Sequence, residues 1–144
     1  MMEVLTVPSL RVLCVDDNQD SADSMAMLLE MLGCEAEVSY GSAAALALAD
    51  LFHPDVCLLD ITMPGMDGLE LAQRLRQKAD GRRILLVAMT ALSSESHRQQ
   101  TTAAGFDHHL TKPVEIRALT AALKRFAGTG SRPYRVPGAL RNGS

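Results

Sequence analysis

The stretch Val56-Cys57-Leu58-Leu59-Asp60-Ile61-Thr62-Met63-Pro64-Gly65-Met66-Asp67-Gly68 decides how the rest of the chain is read. Four apolar residues lead into one carboxylate, and Pro64-Gly65 follows at once as a turn signal. A short apolar run without polar alternation marks a strand buried on both faces, so this one delivers Asp60 to a surface loop. A lone aspartate at such a place usually caps the loop. Asp60 is not alone, because the other strand ends of the chain also carry reactive groups.

On the N-terminal side, Leu10-Arg11-Val12-Leu13-Cys14-Val15 forms a second apolar strand that stops at Asp16-Asp17-Asn18. Ser21 to Leu32 then places Met25, Leu28, Leu29 and Leu32 at helical spacing, closed by Gly33. Cys34 to Tyr40 reads as a short strand, and Gly41-Ser42 opens an alanine-rich helix ending near Leu51. Beyond Asp60 a helix runs from Gly68 to Lys78 with Leu69, Ala72 and Leu75 inward and Leu71 as a further candidate. Ile84 to Met89 is the fourth strand, ending at Thr90, and Ser93 to Ala104 is a polar helix with few core residues, expected to be the least firmly held. The fifth strand, Phe106 to Leu110, ends at Thr111-Lys112-Pro113, and Val114 to Ala127 is a helix with Ile116, Leu119, Leu123 and Phe126 on one face.

A chain of 144 residues suits one domain, placed at 10–127 between a lead-in (1–9) and a tail (128–144). The tail has no acids, carries Arg132, Arg135 and Arg141, and is expected to be disordered. A hydrophobic fraction of 47% with 3% aromatics and no Trp describes a core of small aliphatic side chains, favouring an α/β layer structure over a sandwich. A net charge of −3 and the lack of a basic helix argue against nucleic acid as a partner. No basic-then-apolar leader and no spanning apolar run is present, so no membrane insertion is expected and the location reads as cytoplasmic. Cys14, Cys34 and Cys57 are odd in number and lack Cys-x-x-Cys spacing, and they read as packed thiols.

Strict strand-helix alternation with apolar strands implies a parallel sheet covered on both faces and joined by right-handed crossovers. All strand C-termini then share one edge, which brings Asp16-Asp17, Asp60, Thr90 and Lys112 together. Three carboxylates in close quarters repel one another unless a cation sits among them. An all-oxygen site without Cys or His ligands suits Mg2+ rather than Zn2+. A lysine and a threonine hydroxyl opposite the metal match the charge neutralisation that phosphoryl transfer needs. There is no Gly-rich Lys-Ser/Thr loop to cradle a nucleotide.

Taken together, Asp16-Asp17, Asp60 with Met63-Pro64-Gly65-Met66-Asp67-Gly68, Thr90-Ala91 and Lys112-Pro113 make the chain from Leu10 to Ala127 resemble the receiver domain of two-component response regulators. The resemblance implies a flavodoxin-like, doubly wound sheet of five parallel strands in the order 2-1-3-4-5, with helices on both faces. It implies a phosphoacceptor signalling domain rather than an enzyme, in which Asp60 takes a phosphoryl group from a phosphohistidine on a sensor histidine kinase or histidine phosphotransfer protein. Asp17, Asp60 and the backbone carbonyl of Thr62 would hold Mg2+, with Asp16 acting through water. Thr90 would move toward the phosphoryl oxygens and Lys112 would pair with them; the bond before Pro113 is often cis in the family.

Two positions depart from the family pattern. His109 stands where a switching Tyr or Phe is usual, so Thr90 and His109 form the expected switch pair. Thr62 and Leu92 occupy the positions that tune phosphoryl lifetime, and Leu92 cannot orient a water, so a long-lived phosphoryl group is expected. With no output domain read after Ala127, signalling would run through protein contacts with an unknown downstream partner, and dimerisation would use the fourth helix, fifth strand and fifth helix. A donor helix would approach Asn18 to Met25 and the loop after Pro113. The alternatives are a phosphorylation-independent binding module and a Mg2+-dependent aspartyl-phosphate phosphohydrolase; the latter usually needs an acid two residues beyond its nucleophile, where Thr62 stands.

Overall fold

A computed structural model describes residues 10–61, 68–91 and 95–128, the side chains of residues 95–98 excepted. Thr62 and Leu92 lie outside the described residues, as do the lead-in and nearly all of the tail. The elements alternate throughout: β1 (Arg11–Val15), α1 (Gln19–Met31), β2 (Glu35–Ser39), α2 (Ser42–Phe52), β3 (Val56–Asp60), α3 (Gly68–Ala79), β4 (Leu85–Thr90), α4 (Glu95–Ala103), β5 (His108–Thr111) and α5 (Ile116–Ala127). The five strands form one sheet in the order β2-β1-β3-β4-β5, and every neighbouring pair is parallel.

Alternation along the strands divides the core into two layers. Leu13, Val15, Cys57, Leu59, Leu86 and Ala88 face α2 and α3, where they meet Ala45, Phe52, Leu71 and Leu75. Val12, Cys14, Leu58, Val87 and Met89 face α1 and α5, where they meet Leu29, Leu119, Leu123 and Phe126. Every residue of β3 and of β4 is buried, which is why neither strand shows polar alternation. Each fully buried leucine here, Leu58 and Leu59 among them, contributes about 1.5–3 kcal/mol over leaving it exposed. The three cysteines are free and buried, and desolvation first of all pushes the Cys34 thiol up to about 11 and Cys57 to about 12.

Several boundaries differ from the sequence reading for local reasons. Helix α1 starts at Gln19 rather than Ser21, because the Asn18 side chain accepts from the Ser21 N–H at 3.0 Å and closes the first turn earlier. Gly33 follows the C-cap Leu32 at φ 99°, the left-handed position that ends a helix. Helix α2 extends to Phe52, which is buried, while Leu51 is exposed. In α3, Leu71 is fully buried and Leu69 only partly so. Ile116 was expected on the inner face of α5, but it is exposed: as the first helical residue it lies beyond the sheet that covers Leu119 and Leu123. Strand β5 begins at His108, and Phe106 is buried ahead of it.

One glycine is dictated by a close approach. A β-carbon on Gly68 would lie 2.8 Å from the Asp60 carbonyl oxygen and closer still to the Ile61 Cα, so the start of α3 presses on the end of β3. The Gly68→Ala substitution is therefore expected to lower the unfolding free energy by about 1–3 kcal/mol in urea titrations. Gly41→Ser, at an N-cap where a β-carbon meets nothing within 4 Å, is expected to raise it by about a few tenths of a kcal/mol in the same titrations.

Candidate functional site

The parallel order places β1, β3 and β4 side by side, so their C-terminal ends form one short row. Asp60 is the last residue of β3, opposite Met89 of β4, and Thr90 closes β4 opposite Thr111. Asp16 immediately follows β1 and is tied to the β2 end by its N–H, which donates to the Ser39 carbonyl at 3.1 Å. Lys112 follows β5, and its backbone N–H donates to the Thr90 carbonyl at 2.8 Å. The Lys112–Pro113 bond is cis.

The side chains converge as closely as the backbone suggests. Carboxylate oxygens of Asp16, Asp17 and Asp60 all lie within 4.8 Å of one another. Asp16 and Asp60 are buried, whereas Asp17 is exposed at the mouth. The Lys112 ammonium stands 3.1 Å from Asp16 Oδ2 and 3.6 Å from Asp60 Oδ2, so it bridges the two buried acids. Asp16 is steadied further by the Asn18 N–H, which donates to its Oδ1 at 3.0 Å. Thr90 is buried beside this row. An all-oxygen donor set with one exposed member fits a hard divalent cation that keeps part of its water shell.

Burial raises the Asp16 carboxyl above its ordinary range; the Asn18 N–H and Lys112 pull it back, the Asp60 charge adds to the rise, and the net direction is up. For Lys112, burial pulls the ammonium down, but the Asp16 hydrogen bond and the Asp60 and Asp16 charges outweigh it and hold it above its ordinary value.

Next to the acids runs a groove of about 470 Å³ between α1 and the residues after β5, walled by Met25, Leu28, Met89, Pro113 and Val114 with Ser21 at its rim. His109 lies elsewhere: it is half-buried on β5 in register with Ala88 and lines a small cavity of about 130 Å³ with Thr101 and Phe106. The structure thus gathers Asp16, Asp17, Asp60, Thr90 and Lys112, sets His109 apart, and leaves Thr62 and Leu92 undescribed. Sequence reading overlooked two contributors, the Asn18 N–H on Asp16 and the crowding of Gly68 against Asp60. A glycine opening a helix, where a stronger helix former would otherwise be favoured, is the signal that pointed to the second.

The raised Lys112 pKa fixes the sign of a pH effect. Its stabilising contribution is fully present below the unfolded lysine value of about 10.4 and is lost as pH rises through the higher folded value. Unfolding free energies of the wild type and Lys112→Met are therefore expected to differ most at neutral pH in metal-free buffer and to converge only as pH rises through the raised folded lysine value, as urea titrations at several pH values would show.

The model of the response regulator receiver domain matches residues 12–124. A 14.6 kDa protein of Leptolyngbya boryana is 33% identical over 121 residues, 84% of this chain and 92% of that protein. The response regulator MprA of Mycobacterium bovis is 34% identical over 116 residues, 81% of this chain but 50% of its own length. The sensor histidine kinase GacS of Pseudomonas protegens is 32% identical over 133 residues, 90% of this chain and 14% of that kinase. The chain thus spans most of the first relative, half of the second and a small part of the third. Among solved structures, the chemotaxis protein CheY4 of Vibrio cholerae superposes with a TM-score of 0.76 at 28% identity, covering 82% of this chain and 98% of that one. With five parallel strands in the order 2-1-3-4-5 and the acids gathered at their C-terminal edge, the chain belongs to the family of response regulator receiver domains.

Proposed function

We propose that this receiver domain accepts a phosphoryl group on Asp60 from a phosphohistidine, in a Mg2+-dependent reaction, and signals through protein contacts. The observation that carries the proposal is the set of three carboxylates within 4.8 Å, with the Lys112 ammonium 3.6 Å from Asp60. In the transfer an Asp60 carboxylate oxygen attacks phosphorus, the P–O bond forms as the P–N bond to the donor imidazole breaks, and the imidazole leaves with the bond's electron pair. Asp17 and Asp60, with the Thr62 carbonyl, are the proposed ligands, and Asp16 is proposed to act through water. Bound there, Mg2+ supplies charge neutralisation for the phosphoryl oxygens. Lys112, already poised between the buried acids, pairs with the same oxygens, and the Thr90 hydroxyl completes their coordination.

Likeness to part of a sensor histidine kinase supports a histidine kinase or a phosphotransfer protein as donor. The apolar groove between α1 and Val114 opens beside Asp16, which suits a donor helix approaching over Ser21 and Met25. Output is assigned to the β5 side, where Thr90 ends β4 beside Thr111 and His109 sits two residues earlier on β5. In this reading the Thr90 shift on phosphorylation is transmitted to His109, and the α4-β5-α5 face carries the downstream contact or a dimer. No helix among the described residues is long and apolar enough to cross a membrane.

Mass spectrometry after incubation with acetyl phosphate and Mg2+ is expected to show the gain of one phosphoryl group, absent in Asp60→Asn and abolished by chelation. No gain from either acetyl phosphate or a phosphorylated histidine phosphotransfer domain would overturn the acceptor reading in favour of a phosphorylation-independent module. The lifetime reading is checked separately: Leu92→Glu is expected to speed loss of the phosphoryl group by about a hundredfold, the low end of what a positioned general base contributes, and an unchanged decay rate would remove it.

A further inference from the structure

The groove beside the acids has its charge at one end. Asp16 and Lys112 belong to its lining, and among the described residues no other lining side chain is charged. Lys112 is shared with the site, since its ammonium stands 3.6 Å from Asp60 Oδ2. The groove therefore begins one side chain away from the oxygen that is proposed to attack phosphorus. Beyond Lys112 its walls are Met25 and Leu28 of α1, Met89 of β4, and Val114. Met25, Leu28 and Val114 are only half-buried, so apolar surface is left for a ligand to cover. The volume of about 470 Å³ falls within the range of about 300–1,000 Å³ usual for small-molecule sites.

A phosphoryl donor with an uncharged, apolar leaving chain matches this layout. In an in-line transfer the bond that breaks lies on the far side of phosphorus from the attacking oxygen. The leaving group thus faces out of the site, where the first turn of α1 and Pro113 border the groove. A phosphate at the charged end meets Lys112, and a chain attached to it meets only apolar walls. A charged chain is disfavoured there, because it would give up water without gaining a partner.

We propose that the groove is an acyl subsite: acyl phosphates with a short unbranched apolar chain, butyryl phosphate for one, are donors to Asp60, with the chain seated between Met25, Leu28 and Val114. The inference rests on the acceptor reading and adds a substrate class to it. An Asp60 carboxylate oxygen attacks phosphorus, the new P–O bond forms as the P–O bond to the acyl group breaks, and butyrate leaves with the electron pair. Acetyl phosphate has a single methyl to place in the groove and gains least from it. Butyryl phosphate adds two methylenes, so its second-order rate constant is expected to exceed that of acetyl phosphate by about tenfold if both are covered in the transition state.

The test compares rates of phosphoryl gain from acetyl and butyryl phosphate by mass spectrometry at one Mg2+ concentration. The two leaving carboxylates are of nearly equal basicity, so a difference between the donors reports on the groove and not on their reactivity. In Met25→Lys and in Val114→Lys the ratio of the two rates is expected to fall to about one, because either ammonium puts a charge on the apolar wall. A second readout needs no transfer: butyrylphosphonate, whose P–C bond does not break, is expected to shift the Met25 and Met89 methyl NMR signals and to leave those of the exposed Met27 and Met31 in place. Equal rates from the two acyl phosphates in the wild type would overturn the inference and leave the acceptor reading standing. A ratio that survives in both variants, or Met25 and Met89 signals unmoved by the phosphonate, would overturn it as well. Phosphoryl gain from a phosphorylated histidine phosphotransfer domain but from neither acyl phosphate would remove the inference alone, whereas no gain from any of the three donors would remove both readings.

Discussion

Three carboxylates held within 4.8 Å at the edge of an apolar sheet are the constraint on which this structure turns. Two of them, Asp16 and Asp60, are buried, where like charges repel more strongly than in water. The fold meets that repulsion with the Lys112 ammonium, placed between them. Lys112 is 52 positions beyond Asp60 and 96 beyond Asp16 in the chain, so the balance exists only when β5 is docked on β4. The residual excess of negative charge suits the site to a hard divalent cation.

The site is stiff because backbone, rather than long side chains, positions it. Asp60 ends a strand buried along its whole length, the Asp16 N–H is bonded to Ser39, and Gly68 lets α3 press against the Asp60 carbonyl. Rigidity is not uniform across the sheet. Strands β3 and β4 are buried throughout, but no residue of β5 is fully buried, and among the side chains described in α4 only Thr101 is buried. Segments with few buried groups open more readily than the core. The thinly held strand is the one that lies beside Thr90.

Charge is also divided unevenly across the sheet. The half made of β1 to β3 with α1 and α2 is acidic, and the half that contains β4, β5 and α5 is basic. The edge that gathers the site joins them, with acids supplied by one half and the lysine by the other. An acidic α1 carries two exposed methionines, and an apolar groove opens beside it.

The sequence by itself determined the alternation of strands and helices and the residues of the site. Apolar runs ending in Asp16, Asp60, Thr90 and ahead of Lys112 are local patterns, and strand C-termini in a parallel sheet must share an edge. Strand order was not legible locally and came from family likeness, because pairing is a choice among distant segments. Element ends moved by one to a few residues where a side chain such as Asn18 closed a turn, and Ile116 turned outward because helical periodicity cannot show where the sheet beneath a helix stops. Only the tertiary structure decided that Lys112 reaches both buried acids, that Gly68 leans on Asp60, and that α1 keeps Met27 and Met31 in solvent. Each of these depends on the distance between segments far apart in the chain, which residue spacing does not encode.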